Sequence, residues 1–146
     1  MLDAEAIQLL RESAAILPLE DLAPVHAFYG RLFELAPETR VLFTHDLGRQ
    51  TGKFRDMLAW IVHHLEQPEM LSPALRDLGR RHEAYGGSID HYASVGSALI
   101  WMFQHSLGPR FTEPMEDAWI TAYAYISGEM ERGQRAAREA ESGSQQ

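Results

Sequence analysis

Apolar residues recur at intervals of three and four along nearly the whole chain, the spacing that lines one face of a helix. Ile7, Leu10, Ala14 and Leu17 form the first stripe, behind Asp3 as a capping residue and ahead of Pro18 as a stop. Asp21 opens a second helix that tolerates Pro24 in its first turn and buries Val25, Phe28, Tyr29, Leu32 and Phe33. Ala36-Pro37 breaks it, a short helical turn runs from Glu38 to Phe43, and residues 44–48 read as a polar loop. A third helix starts near Asp46 and reaches about Leu65, with Gln50, Phe54, Met57, Leu58, Ile61, Val62 and Leu65 inward.

Glu66 to Glu69 make a turn, and Ser72-Pro73 predicts the next start: a hydroxyl cap, then a proline whose missing N–H does no harm. That helix carries Leu71, Leu75, Leu78, His82 and Tyr85 on one stripe and stops at Gly86-Gly87. Ser88 caps a further helix with Tyr92, Val95, Leu99, Met102 and Phe103 inward, ending at Leu107-Gly108-Pro109. Thr112 begins the last, whose stripe is Met115, Ala118, Trp119, Ala122, Tyr123, Ile126 and Met130. No segment alternates with period two, and neither a long repeat nor a linker occurs. The pattern predicts an all-α chain of six to seven helices, one domain over residues 1–139, and a polar, disordered tail over 140–146.

Composition narrows the function classes. With 146 residues, 45% of them hydrophobic, the chain can bury a sizeable core. No apolar run approaches the roughly 20 residues a bilayer-spanning helix needs. The acidic N-terminus lacks a signal-peptide pattern, so the expected location is cytoplasmic. The absence of cysteine excludes disulfides, thiolate ligands and a Cys nucleophile. The net charge is −8, Lys53 is the only lysine, and Arg80-Arg81 is the only adjacent basic pair. Without a basic face, nucleic acid and anionic membranes are excluded as partners.

Three core stripes each carry a polar residue: Tyr29, Gln50 and His82. A buried polar group needs a hydrogen-bond partner or a ligand. Phe54 to Glu66 spans about 18 Å of helix, and Ser72 to His82 about 15 Å. Antiparallel helices would therefore bring His82 level with Phe54, one turn from Gln50. A gap with an imidazole on one wall and an amide on the other suits a flat cofactor.

At this point the chain resembles a globin, specifically the bacterial single-domain haemoglobins related to flavohaemoglobins. The resemblance rests on Phe28-Tyr29-x-x-Leu32-Phe33, Pro37 to Phe43, Gln50-x-x-Lys53-Phe54 and Leu78-Gly79-Arg80-Arg81-His82-x-x-Tyr85-Gly86. His91-Tyr92-x-x-Val95-Gly96 and Ala118-Trp119-x-x-Ala122-Tyr123 complete it, in order and at matching intervals. It implies a globin fold around a haem pocket, with haem b as cofactor. By position it makes His82 the proximal iron ligand, Phe43 a residue packed on the porphyrin, and Tyr29 and Gln50 the distal donors. Phe54 stands where relatives carry an aliphatic residue, which implies a tighter distal cavity. Lys53 and Arg81 are implied propionate partners, His45 a weaker one, and Tyr85 and Tyr92 residues of the haem pocket. In flavohaemoglobins a tyrosine and a last-helix glutamate brace the proximal imidazole; here Tyr92 is kept and the glutamate position holds Gln134. A neutral amide there implies a weaker pull on the imidazole N–H.

Other candidates carry less. Adjacent His63 and His64 point about 100° apart on a helix and do not share one ion. His26, His91 and His105 lack partners at ligand spacing, and no phosphate loop, Ser-His-Asp order or HExxH pattern occurs. Trp60, Trp101 and Trp119 read as packing residues. The resemblance implies binding of dioxygen and other diatomic ligands, with high oxygen affinity, by a monomer or homodimer. A second reading is nitric-oxide dioxygenation, which would need a separate reductase because the chain shows no flavin or nicotinamide pattern. A third is a non-haem helical sensor or scaffold, disfavoured by polar groups on core stripes.

Overall fold

Each helix is placed by the apolar partner it finds, and the computed structural model describes this for residues 2–18, 20–43, 47–84 and 86–144. The first helix, α1 (Ala4–Ile16), starts at Asp3, whose carboxylate accepts from the Ala6 N–H at 2.8 Å. The second, α2 (Ala23–Leu35), buries Pro24 in its first turn beside Asp21, which accepts from the Ala23 N–H at 3.0 Å. A 3-10 segment, Pro37–Phe43, precedes α3 (Leu47–His63). Then come α4 (Pro68–Ala84), α5 (Tyr92–Leu107) and α6 (Glu113–Ser144). All regular structure among the described residues is helical. None of these helices is long and apolar enough to cross a membrane.

The spine is α6. Helices α1, α4 and α5 pack on it, α2 lies on α5, and α3 rests on α1 and α2. Trp119 of α6 is 1% exposed and donates its indole N–H to the buried Ser13 hydroxyl of α1 at 2.7 Å. Helices α4 and α6 run in the same direction. Ser72 meets Tyr125, Arg76 pairs with Glu129 at 2.6 Å, and Glu83 meets Gln134 at 2.8 Å. Glycines permit this close crossing: a Cβ on Gly79 would lie 1.9 Å from the Met130 carbonyl oxygen, and one on Gly133 would lie 1.8 Å from that of Arg76.

The helix bearing His82 departs from the expected reading in two ways. It begins at Pro68, so Ser72-Pro73 lies inside it. Pro68 takes the first-turn position that suits proline, and the Gln67 carbonyl accepts the opening bonds from Met70 and Leu71. Pro73 then costs one bond to the exposed Glu69, whose carbonyl water can serve. Ser72 turns its hydroxyl to Tyr125 instead of capping. Secondly, the fully buried line is Leu71, Leu75 and Gly79, pressed on α6, while Leu78 and His82 beside it are half-buried. At the other end of the chain, α6 continues through Ser144, past the expected stop near Glu139. Pairs such as Glu131–Arg135, at 2.7 Å and four residues apart, support that solvated stretch.

Candidate functional site

Helices α3 and α4 are joined by a short turn yet hardly touch along their lengths. One is drawn onto α1 and α2, the other onto α6. The candidate site is made of the residues these two helices and α2 carry.

On the α2–α3 side stands Tyr29, 3% exposed. Its ring lies 5.0 Å from Phe28, 5.2 Å from Phe43 and 5.9 Å from Phe54, each edge-on. Phe54 stacks on Phe28 at 4.4 Å, which accommodates its bulk. The half-buried Gln50 side chain comes close enough to the Tyr29 hydroxyl to act on it, so two polar residues from different helices meet. Burial pushes the Tyr29 pKa up to about 12 against the opposing pull of Gln50. The phenol therefore stays neutral, and stays a donor, at any physiological pH.

This shift has a consequence for stability. Burial also raises Tyr92 to about 12 and Tyr123 further still. An unfolded tyrosine ionises near 10, so above that pH the unfolded chain sheds protons that the folded one keeps. Stability present below pH 10 is thus lost as pH rises toward 12. For fully buried Tyr29 the loss should be about 2 kcal/mol. Urea melts from pH 8 to 12 on wild type and Tyr29→Phe check this. The variant should show the shallower decline.

On the α4 side, His82 donates from Nδ1 to the Leu78 carbonyl at 2.7 Å. A carbonyl only accepts, so the proton sits on Nδ1 and Nε2 keeps its lone pair. Nε2 has no hydrogen-bond partner among the described residues. The helix closes just beyond in a Schellman motif: Gly87 N–H donates to the His82 carbonyl at 2.8 Å and Gly86 N–H to that of Glu83 at 3.2 Å. Gly86 has φ +86°, the left-handed stop expected of it.

Tyr92 and Gln134 are together, as the resemblance implies, but they do not brace the imidazole. The Tyr92 hydroxyl donates to Gln134 Oε1 at 2.8 Å, and Gln134 Nε2 donates to Glu83 at 2.8 Å and to the Gly87 carbonyl at 2.6 Å. The imidazole N–H is already taken by a carbonyl one turn back on its own helix. Sequence reasoning missed Glu83 and Arg138, which pair at 2.9 Å. Hydrogen bonds from Arg138 and Gln134 hold the Glu83 carboxyl below the usual range. No local pattern flags residues 55 positions apart. Their only signal is the near-constant offset of 53 that pairs Ser72 with Tyr125 and Arg76 with Glu129.

Arg81 pairs with Asp77 at 3.3 Å, and Lys53 is exposed on α3. Tyr85 and His45 lie outside the described residues. His64 stacks on Trp60 at 4.1 Å, and His91 meets Glu38 at 3.3 Å. No group of three or more His, Asp or Glu that could hold a metal ion occurs among the described residues.

The described residues thus define an all-α domain with a histidine on α4 whose Nε2 has no hydrogen-bond partner among them, and with a phenol and an amide brought together from α2 and α3. Known proteins share this fold. The Globin family model matches residues 26–130, and the chain belongs to the globin family, whose members bind gases through haem. Neuroglobin of Danio rerio is 30% identical over 139 residues, covering 86% of this chain and 87% of that protein. A flavohemoprotein of Bordetella bronchiseptica is 30% identical over 131 residues, covering 87% of this chain, which spans only 32% of that protein. Among solved structures, an engineered carbene transferase from Rhodothermus marinus, to whose parent nitric-oxide dioxygenation is ascribed, superposes with TM-score 0.79 at 29% identity. The match covers 96% of this chain and 99% of that one.

Proposed function

We propose that the chain binds dioxygen, and also nitric oxide and carbon monoxide, on haem b held by His82. The observation that carries this reading is the buried, neutral phenol of Tyr29 beside the half-buried amide of Gln50, two polar groups brought together from two helices. The residues fit the cofactor. His82 has a free Nε2 on a tautomer set by Leu78, and half-buried Phe43, Phe54, Met57 and Leu78 offer apolar contact. Ferrous haem supplies reversible binding of diatomic gases. His82 holds the group, Tyr29 and Gln50 supply hydrogen-bond donors to the ligand, and the surrounding phenylalanines keep water away from them. Donors in so dry a setting strengthen binding of a ligand that gains negative charge, so affinity for oxygen is high. Lys53 and Arg81 are the proposed propionate partners, Arg81 after releasing Asp77.

Tyr29→Phe tests this directly. Loss of one buried donor should speed oxygen dissociation about 10- to 100-fold in stopped-flow measurements. Rates equal to wild type would remove Tyr29 from the ligand side.

Similarity to the flavohemoprotein and to the Rhodothermus marinus protein favours a second reading, nitric-oxide dioxygenation. The same donors serve it, and a reductase supplies the electron for each turnover. Stoichiometric nitrate from the oxygenated protein and nitric oxide would show competence. Continued turnover with a reductant would show an enzyme.

A further inference from the structure

We propose that Gln134 is a positioning residue for His82, acting through the closing turn of α4 and not on the imidazole itself. The proposal rests on His82 being the haem ligand.

Gln134 is 1% exposed, and its side chain joins three segments. Its Oε1 accepts from Tyr92 at the start of α5 at 2.8 Å. Its Nε2 donates to Glu83 in α4 at 2.8 Å and to the carbonyl of Gly87 at 2.6 Å. Gly87 is also the residue whose N–H closes on the His82 carbonyl at 2.8 Å. Two bonds therefore run in series from the amide of α6 to the backbone of His82, and Glu83, the next residue, is held from the same side. Arg138 secures the other oxygen of Glu83 at 2.9 Å. Space at the turn is also limited, since a Cβ on Gly87 would stand 3.1 Å from the His82 carbonyl oxygen. The backbone on both sides of the ligand is thus referred to α6, the most extensively packed helix.

The chemistry requires an amide. A carboxylate at 134 would set a second negative charge against Glu83 and give the Gly87 carbonyl no donor. An apolar side chain would leave Tyr92, Glu83 and Gly87 each without this partner.

The test compares wild type, Gln134→Glu and Gln134→Met by native-state amide exchange, and the haem-loaded proteins by the iron–histidine stretching band. Exchange at Gly86 and Gly87 should accelerate about 10- to 100-fold in both variants, while amides of α1 and α2 stay as in wild type. The iron–histidine band should shift or broaden as the ring samples more orientations. Adding Glu83→Gln to Gln134→Glu exchanges amide and carboxylate, and should recover part of the protection. Unchanged exchange at the turn together with an unchanged band would overturn the proposal. So would acceleration spread evenly over all helices, which marks a purely structural role. Failure of the wild type to take up haem would sink the haem reading, while the exchange comparison would still decide whether Gln134 holds the turn.

Discussion

Gly79→Ala and Gly133→Ala are each expected to destabilise the protein by about 3–5 kcal/mol, a large share of the 5–15 kcal/mol that holds a typical domain together. The clash is with backbone: a Cβ at 79 meets the Met130 carbonyl oxygen at 1.9 Å, and one at 133 meets that of Arg76 at 1.8 Å. No rotamer change relieves a contact with a carbonyl, so the helices must separate. Separation strips Leu71, Leu75 and Met130 of their packing and stretches the Arg76–Glu129 pair. Alanine's better helix propensity returns only about 1 kcal/mol, too little to offset this. Gly128→Ala in the same α6 is the control, because a Cβ there meets nothing within 4 Å. It should stabilise by up to about 1 kcal/mol. Urea denaturation of the three variants decides the matter. Comparable effects at 79, 128 and 133 would show that the crossing is not as close as described.

His82→Ala should separate binding from folding. The side chain is half-exposed and its one hydrogen bond goes to Leu78 on its own helix, so the apo-protein should lose no more than about 1 kcal/mol. Haem affinity should fall on the order of a hundredfold or more, since residues that merely support a metal ligand are worth 10- to 100-fold. Free imidazole should restore the ligated spectrum in part by filling the vacated place. Haem titrations followed in the Soret band, with and without imidazole, provide the measurement. An identical spectrum and affinity in the variant would assign the iron to another residue.

Much of this architecture was legible along the chain because it is written in local spacing. Asp3 and Thr112 sit where helix starts were expected, and Gly86 stops α4 with the left-handed φ expected of it. Tyr29 and Gln50 stood out as polar residues on apolar stripes, and the fold brings them together. Ser72-Pro73 misled because a proline's fixed φ is itself helical, and only the packing of α4 on α6 shows that the helix runs through it. Over its described residues, the stripe expected from Leu71 to His82 is broader than the buried line of Leu71, Leu75 and Gly79. Periodicity marks an apolar face, but the line of closest contact within it belongs to the partner helix.

By itself, then, the order of residues determined which segments are helical, where most of them start and stop, and which polar groups the core has to accommodate. These follow from hydrogen bonds and torsions within a few positions of one another. Only the tertiary structure decided that α4 lies against α6 through Gly79 and Gly133, that α3 and α4 part, and that Gln134 and Arg138 hold the turn after His82. Those contacts join residues some fifty positions apart, where chain spacing carries no information and the approach of two backbones chooses the partners.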